Sequence, residues 1–506
     1  MIMTNKLVGR ERECQELHRV MESDRSEFVI VYGRRRVGKT FLVDQYYHGQ
    51  YDFTFVGGHN LSRQRQLTSF ARALKKFSGI KSDKFADWFD AFDALEEYLE
   101  SLDTSRKKVV FIDEMPWIDT QKSDFVAALE NFWNGWAARR SDIVFIASGS
   151  ATSWMVDNLI ENQGGLHARI TSSIYVRPFT LHETEEYLHR KHCKWDRYQI
   201  LQCYMVFGGI PFYLSLINTK ESLVQNVDRL FFVQGGIMRS EFDELYNALF
   251  SNADLYISVV KALATHHDGM SREEISKTIG ITGGTLTRVL TNLERCDFIS
   301  RNQNFGHKAK DTIYRLVDFY TLFYYKFILQ DISGDEHWWS HNFESRQIST
   351  WQGLTFEIVC LMHTDCIKRA LGISGMATEV SSWRKAASED QKGGQIDLVI
   401  KRADRIIHLC EMKFSKSEYR ITEAYEQLLR QRLELFQSST KTKFSLVITF
   451  VTTYGVADGA HHSLVHSEVT MEQLFKYGIS FHGFPKNQTC QAIITGGCLP
   501  KSIPAT

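Results

Sequence analysis

Gly33-Arg34-Arg35-Arg36-Val37-Gly38-Lys39-Thr40 fits the phosphate-loop pattern G-x-x-x-x-G-K-[ST] at every fixed position. Its flanks agree with the motif. Glu27-Phe28-Val29-Ile30-Val31-Tyr32 is a short apolar run of the kind a buried parallel strand requires, and residues 40–47 read as the start of a helix. The glycines let the backbone curl so that its N–H groups face phosphate oxygens. The helix N-terminus adds partial positive charge at the same point. Lys39 can then reach the β- and γ-phosphates and the Thr40 hydroxyl can ligate Mg²⁺, with Phe41 closing the stretch expected to bind the nucleotide.

The 506 residues are too many for one hydrophobic core. Hydrophobic content of 43% and aromatic content of 13% supply ample core material. Lys+Arg and Asp+Glu are both 60, so net charge says nothing about a polyanionic partner, and any basic surface must be local. The nine cysteines form no C-x-x-C pair, which argues against a disulfide framework or a zinc site and for reduced buried thiols. The N-terminal residues lack the apolar core of a signal peptide, and no stretch approaches 18 uninterrupted apolar residues. A cytoplasmic protein with no membrane partner is the resulting expectation.

Residues 107–114, Lys-Lys-Val-Val-Phe-Ile-Asp-Glu, form a second apolar strand ending in two acids. A carboxylate at the carboxyl end of a strand beside the phosphate loop can hold Mg²⁺, and that is Asp113; Glu114 beside it can polarise the attacking water. A third strand, residues 142–147, ends in Ser148-Gly149-Ser150. Ring-type ATPases often carry a polar γ-phosphate sensor there, and either serine fits the position.

Leu7-Val8-Gly9-Arg10-Glu11 precedes an amphipathic helix, residues 164–169 form a loop bearing Arg169, and Gly208-Gly209-Ile210-Pro211-Phe212-Tyr213-Leu214 follows. With the phosphate loop and the Ile-Asp-Glu strand, these motifs resemble the prokaryotic AAA+/STAND ATPases of the archaeal ATPase group over roughly residues 5–215. The resemblance implies a P-loop NTPase core that binds and hydrolyses ATP. It implies an adenine pocket lined from Leu7 to Arg10, Val8 and Arg10 included, and a helical lid containing residues 208–214. Arg169 becomes a candidate γ-phosphate-sensing or finger arginine, with an ordinary surface arginine as the alternative. Arg34, Arg35 and Arg36 either add positive charge near the triphosphate or form a solvated face. ATP-dependent homo-oligomers are compatible with this reading.

From Asp254 the pattern changes to short helices. Ser271-Arg272-Glu273-Glu274 is a capping box, Gly280-Ile281-Thr282-Gly283-Gly284 a turn, and residues 285–296 a second helix with Leu286, Val289, Leu290 and Leu293 at helical spacing. Residues 298–301 and 312–316 read as strands around a polar hairpin. Helix, turn, helix, hairpin is a winged helix-turn-helix. Thr285, Thr287, Arg288, Thr291 and Asn292 on the second helix, and His307, Lys308 and Lys310 on the wing, are candidate DNA contacts; a purely packing role is the alternative.

Two strands near the C-terminus carry charges that packing does not need. Asp397 sits in Gly394-Gln395-Ile396-Asp397-Leu398-Val399-Ile400, and Glu411 and Lys413 sit on one face of the next strand. Two carboxylates and a lysine can hold and use a Mg²⁺ ion. This pattern resembles the PD-(D/E)XK nuclease superfamily over roughly residues 345–455, which implies Glu357 from a preceding helix as a further acid and a polar Gln427 on a later one. Residues 485–506 show no periodicity and read as a tail.

The expected architecture is α/β: a P-loop core with parallel sheet (1–175), a helical lid (176–250), a winged helix-turn-helix (251–330), a restriction-endonuclease-like α/β domain (331–484) and the tail. The expected function is an ATP-driven switch controlling a metal-dependent nuclease-like module that acts on DNA or another nucleic acid. The alternative is a regulatory scaffold that binds DNA or protein without cutting.

Overall fold

The computed structural model describes residues 7–79, 84–103, 105–120, 122–162, 164–250, 252–306, 312–331, 333–387 and 393–476. Met1 to Lys6, the wing residues His307, Lys308 and Lys310, and the tail lie outside the described residues.

The chain first builds a parallel five-stranded sheet from β1 (Glu27–Tyr32), β2 (Phe53–Val56), β3 (Lys108–Asp113), β4 (Ile143–Gly149) and β5 (Ser172–Tyr175), in the order β2-β3-β4-β1-β5. The central strands β1, β3 and β4 read as nearly continuous apolar runs because helices cover both faces. In β1, Val29 and Val31 enter one core while Phe28 and Ile30 enter the other. The parallel register Glu27↔Val144 and Lys108↔Ile143 brings the carboxyl ends of β1, β3 and β4 to one edge, where open α/β sheets place their ligands.

Two capped helices follow, Leu181–Arg190 with a Thr180/Glu183 capping box and Arg197–Phe207 with an Asp196/Gln199 box. The second ends at Gly208-Gly209. A Cβ on Gly209 would lie 1.8 Å from the Phe179 carbonyl oxygen, and Phe179 N–H donates to Gly209 O at 2.6 Å, so only glycine lets these segments meet.

A second, three-stranded antiparallel sheet, β6 (Met270–Ser271), β7 (Ile299–Asn302) and β8 (Ile313–Leu316) in the order β6-β8-β7, packs with helices Ala253–Ala264, Arg272–Ile279 and Gly283–Arg295. The Ser271/Glu274 capping box is formed. The helix Gly283–Arg295 buries Leu286, Val289, Leu290 and Leu293. Thr285, Thr287 and Arg288 are exposed, but Thr291 and Asn292 are half-buried, and the Asn292 amide donates to Tyr256 OH at 2.8 Å. Asn292 therefore serves packing, through a partner 36 residues away that no local pattern announces.

The third sheet is mixed: β9 (Thr378–Lys385), β10 (Gly394–Arg402), β11 (Ile406–Lys413), β12 (Ser445–Thr452) and β13 (Val465–Thr470), in the order β13-β12-β11-β10-β9. Helix Arg346–Met362 packs on the face carrying Cys410 and Met412; Phe436, from helix Glu423–Thr440, packs with Ile407 and Leu409 on the other. Cys193, Cys203, Cys296, Cys360, Cys366 and Cys410 are buried and unbridged. No helix among the described residues is long and apolar enough to cross a membrane.

One apolar core runs from Val8 to Phe475 through all of these units, so they share an interior. An ion pair crosses it. Arg34 Nη1 of the phosphate loop lies 2.5 Å from Asp318 Oδ1, just after β8, with 2% and 3% of the side chains exposed. Burial opposes the arginine's charge, but Asp318 holds it protonated. Asp318 also caps helix Phe319–Phe323 by accepting from Thr321 N–H at 3.0 Å. Removing one partner strands a buried charge, so Asp318→Ala is expected to lower unfolding free energy by about 3–5 kcal/mol. Chemical denaturation checks this; a midpoint at the wild-type position in Asp318→Ala would show that the pair does not hold the modules.

Candidate functional site

The phosphate loop leaves β1 through Gly33, whose φ is +145°; a Cβ there would lie 2.3 Å from Val176 O, so no side chain fits. It enters the helix Lys39–Tyr46 through Gly38 at φ +88°. Lys39 is buried, and its Nζ donates to Gly33 O and Arg34 O at 3.0 Å and to Ser150 Oγ at 3.1 Å. Burial pulls its pKa down, against the attraction of Glu114 and Asp113. The ammonium is thus held at the mouth of the loop by groups that a phosphate can replace.

Thr40 Oγ1 donates to Asp113 Oδ2 at 2.8 Å, and Ser148 hydrogen-bonds Asp113 Oδ1. The loop hydroxyl and the acid ending β3 therefore meet, as the two strand patterns anticipate. Glu114 follows in a left-handed conformation at φ 46°. It accepts from Ser150 Oγ at 2.6 Å and from Ser150 N–H at 3.1 Å, so both its oxygens are engaged. Both serine candidates touch the site, in different roles: Ser148 bears on Asp113, and Ser150 joins Lys39 to Glu114.

The arginines of the loop find partners elsewhere in the chain; Arg34 is buried, and Arg35 and Arg36 are half-buried. Arg34 is locked to Asp318 and stacks on Phe298 at 4.6 Å. Arg36 pairs with Glu241 at 2.6 Å and Glu244 at 3.4 Å and lies over Phe212 at 4.1 Å; Arg35 donates to Glu244 O at 3.2 Å. The cause is long-range acids: Asp318 is 284 residues from Arg34 and Glu244 is 208 from Arg36. Val37 is fully buried beneath the loop, and Phe41 is 42% exposed on the helix after it.

Val8 is buried, and Arg10, 6% exposed, donates to Val37 O at 3.3 Å and Arg177 O at 2.7 Å while stacking on Phe179 at 5.0 Å. Its guanidinium braces the loop against the segment before Thr180 rather than facing open space. Arg169 is exposed, and its backbone N–H bonds Leu166 O at 3.0 Å. Among the described residues, no contact ties its side chain to Lys39 or Asp113.

In the C-terminal sheet, Asp397 and Glu411 stand one step beyond the paired residues Leu398↔Cys410. Each acid meets an arginine that the strand pattern did not reveal. Arg315 Nη2, from β8, lies 2.6 Å from Asp397 Oδ1, which also accepts from Gln395 at 3.0 Å. Arg432 Nη1, from helix Glu423–Thr440, reaches Glu411 at 2.6 and 3.1 Å. Lys413 Nζ stands 4.0 Å from Glu411 and 5.1 Å from the Tyr425 ring. Gln427 is exposed. Glu357 comes from the helix Arg346–Met362; burial, then Asp397, push its pKa up to about 8 against the pull of Lys413 and Arg315. No three His, Cys, Asp or Glu residues among those described close into a cation-holding group. The expected Mg²⁺ ligands Glu357, Asp397 and Glu411 are therefore neighbours in charge, but two of them are neutralised by arginines.

Residues 7–217 match the family described as an ATPase domain predominantly from Archaea. An uncharacterized protein of Methanocaldococcus jannaschii is 24% identical over 337 residues, covering 65% of this chain and 70% of that one. Among solved structures, a Walker-type ATPase of Pyrococcus abyssi is similar at 16% identity and a TM-score of 0.46, over 63% of this chain and 96% of its own. The ORC2 protein of Aeropyrum pernix, in its ADPNP–ADP complexes, is similar at 14% identity and a TM-score of 0.39, over 62% and 91%. The loop geometry, the Thr40–Asp113 contact and the family match together make residues 7–217 a P-loop ATPase domain.

Proposed function

We propose that this protein is an ATP-hydrolysing switch in which the phosphate loop itself holds the downstream modules in place. The observation that carries the reading is the set of loop arginines bound to Asp318, Glu241 and Glu244. Backbone N–H groups of residues 35–40 would cradle the phosphates and Lys39 would leave its carbonyl partners for them. Thr40 and Asp113, already in contact, are hard oxygen donors that fit Mg²⁺, which when bound would neutralise phosphate charge. Glu114 would orient the attacking water once Ser150 releases it. A loop that reshapes around a triphosphate pulls on Arg34, Arg35 and Arg36, and through them on the helix Ile237–Leu249 and the segment after β8.

Lys39→Ala is expected to abolish ATP binding, which calorimetric titration checks. Glu114→Gln is expected to bind ATP with near wild-type affinity and to hydrolyse it at least about 100-fold more slowly. Full turnover in that variant would exclude Glu114 as the water-orienting group.

The second unit, helices Arg272–Ile279 and Gly283–Arg295 with strands β6–β8, supports a winged-helix reading, and the third supports a nuclease-like one. We infer a nucleic-acid-engaging C-terminal half. Arg315 and Arg432 favour engagement without cutting in this conformation, since the acids as they stand do not fit a metal ion. An assay for Mg²⁺- or Mn²⁺-dependent cleavage, with and without ATP, separates the two readings.

Glu357 gives a test by pH. Its folded pKa lies above its unfolded value, so the folded state binds the extra proton between about pH 4.5 and 8. Its favourable contribution is complete below that window and is lost as pH rises through it. Glu357→Gln, neutral throughout, is expected to gain stability relative to wild type as pH goes from 5 to 9. Parallel thermal-melting curves for the two proteins across that range would show that Glu357 is not held neutral.

A further inference from the structure

A cleft of about 430 Å³ opens between the three-stranded unit and the C-terminal module. His267, Lys326, Arg346, Gln347, Thr350 and Leu354 are among its walls. Its volume falls within the range of small-ligand sites, about 300–1,000 Å³. Lys326 and Arg346 have no acid partner among the described residues, although Arg34, Arg36, Arg295 and Arg315, at other module boundaries, are all paired. The His267 pKa is lowered by burial first and by Lys326 next, with Asp268 opposing and Arg315 adding to the fall. Arg315 also keeps a buried Nε with no acceptor. Lys326 and Arg346 are thus like charges at one seam without an acid partner among the described residues, while Arg315 is held by Asp397; that leaves the cleft wall favourable to an anionic occupant.

The cleft also has a direction. Arg346, Thr350, Leu354 and Glu357 follow one another at helical spacing on Arg346–Met362, so its floor leads along one helix face to the acid beside Asp397.

We propose that this cleft binds phosphate groups, a phosphodiester backbone above all, with Lys326, Arg346 and His267 as the contacts and the Arg315–Asp397 pair at its inner end. The assignment rests on the reading that the C-terminal half engages nucleic acid. It adds that the three-stranded unit supplies half of the binding site. A phosphate arriving beside Arg315 offers its guanidinium a second anion and so weakens its hold on Asp397.

The test uses the full-length chain carrying Lys39→Ala, so that the nucleotide loop does not report, in EDTA, so that cleavage plays no part. Binding of a fluorescein-labelled single-stranded oligonucleotide is followed by anisotropy over a KCl series. Adding Lys326→Gln and Arg346→Gln is expected to weaken binding at least about tenfold and to flatten the log K against log[salt] slope by about 1.4, two contacts at ~0.7 each. Arg346 is exposed, so Arg346→Gln alone keeps the test readable if the double variant misfolds, with about half that change in slope. Inorganic pyrophosphate is titrated in parallel. Pyrophosphate binding lost in the variants, without oligonucleotide binding, would still assign the cleft to phosphate but to a small free ligand. Unchanged affinity and slope in variants that melt like the parent would overturn the site, as would a parent that binds neither probe. A parent that binds the oligonucleotide through these residues yet never cuts it with Mn²⁺ would remove the nuclease reading and leave the cleft standing.

Discussion

The ion pair between Arg34 and Asp318 is the constraint on which the arrangement of the modules depends. Two charges buried to 2% and 3% exposure are expensive to desolvate, and their geometry must be met closely for the pair to persist. A pair of this kind does little for net stability, but it fixes relative position, because any displacement strands both charges. Arg34 also leaves Nε and Nη2 without acceptors, so its enclosure holds unspent hydrogen-bonding capacity. A P-loop residue so placed couples the geometry of the nucleotide loop to the chain 284 residues later.

That coupling does not run through one contact. Arg36 and Arg35 tie the loop to Glu241 and Glu244, Arg10 ties it to the backbone at Arg177, and Tyr175, at the end of β5, donates to Asp297 at 2.6 Å. Asp297 is half-buried, and burial raises its pKa. Arg295 joins the same seam through Asp157 and Glu161. The end of the helix Gly283–Arg295 is thereby held against the ATPase domain by charged and polar groups on both sides. By linkage, whatever a bound triphosphate does to these contacts, the downstream modules do in return to nucleotide affinity.

The legible parts of the sequence were those in which function and secondary structure share a local period. The phosphate loop announces itself because strand, glycines, lysine and threonine must be consecutive. Asp113 and Glu114 were readable because a buried strand cannot end in two acids without purpose. The capping box at Ser271 marked its helix, and alternation put Glu411 and Lys413 on one face. What escaped were the partners of the charged side chains: Asp318 for Arg34, Glu241 for Arg36, Arg315 for Asp397 and Arg432 for Glu411. Each partner is an ordinary charged residue in its own segment. Its meaning comes from tertiary packing, which a one-dimensional pattern does not encode.

The same reasoning bears on the C-terminal acids. Carboxylates on adjacent strands repel, and a fold can relieve this with a metal ion, a proton or a cation from its own chain. Here all the intrinsic remedies are in use: a proton favoured on Glu357, Arg315 on Asp397, and Arg432 with Lys413 on Glu411. Arg432 belongs to the helix lying on the same sheet and stabilises the module from within. Arg315 belongs to a different module, so its pairing with Asp397 depends on where the three-stranded unit sits. That unit is in turn fixed to the phosphate loop through Asp318, two residues beyond the end of β8, while Arg315 lies within β8. Two residues of chain, Leu316 and Val317, therefore separate the group that pairs with the loop from the group that neutralises Asp397. One short segment thus pairs with the phosphate loop at one end and with a C-terminal acid at the other, the contact that the proposed switch would use.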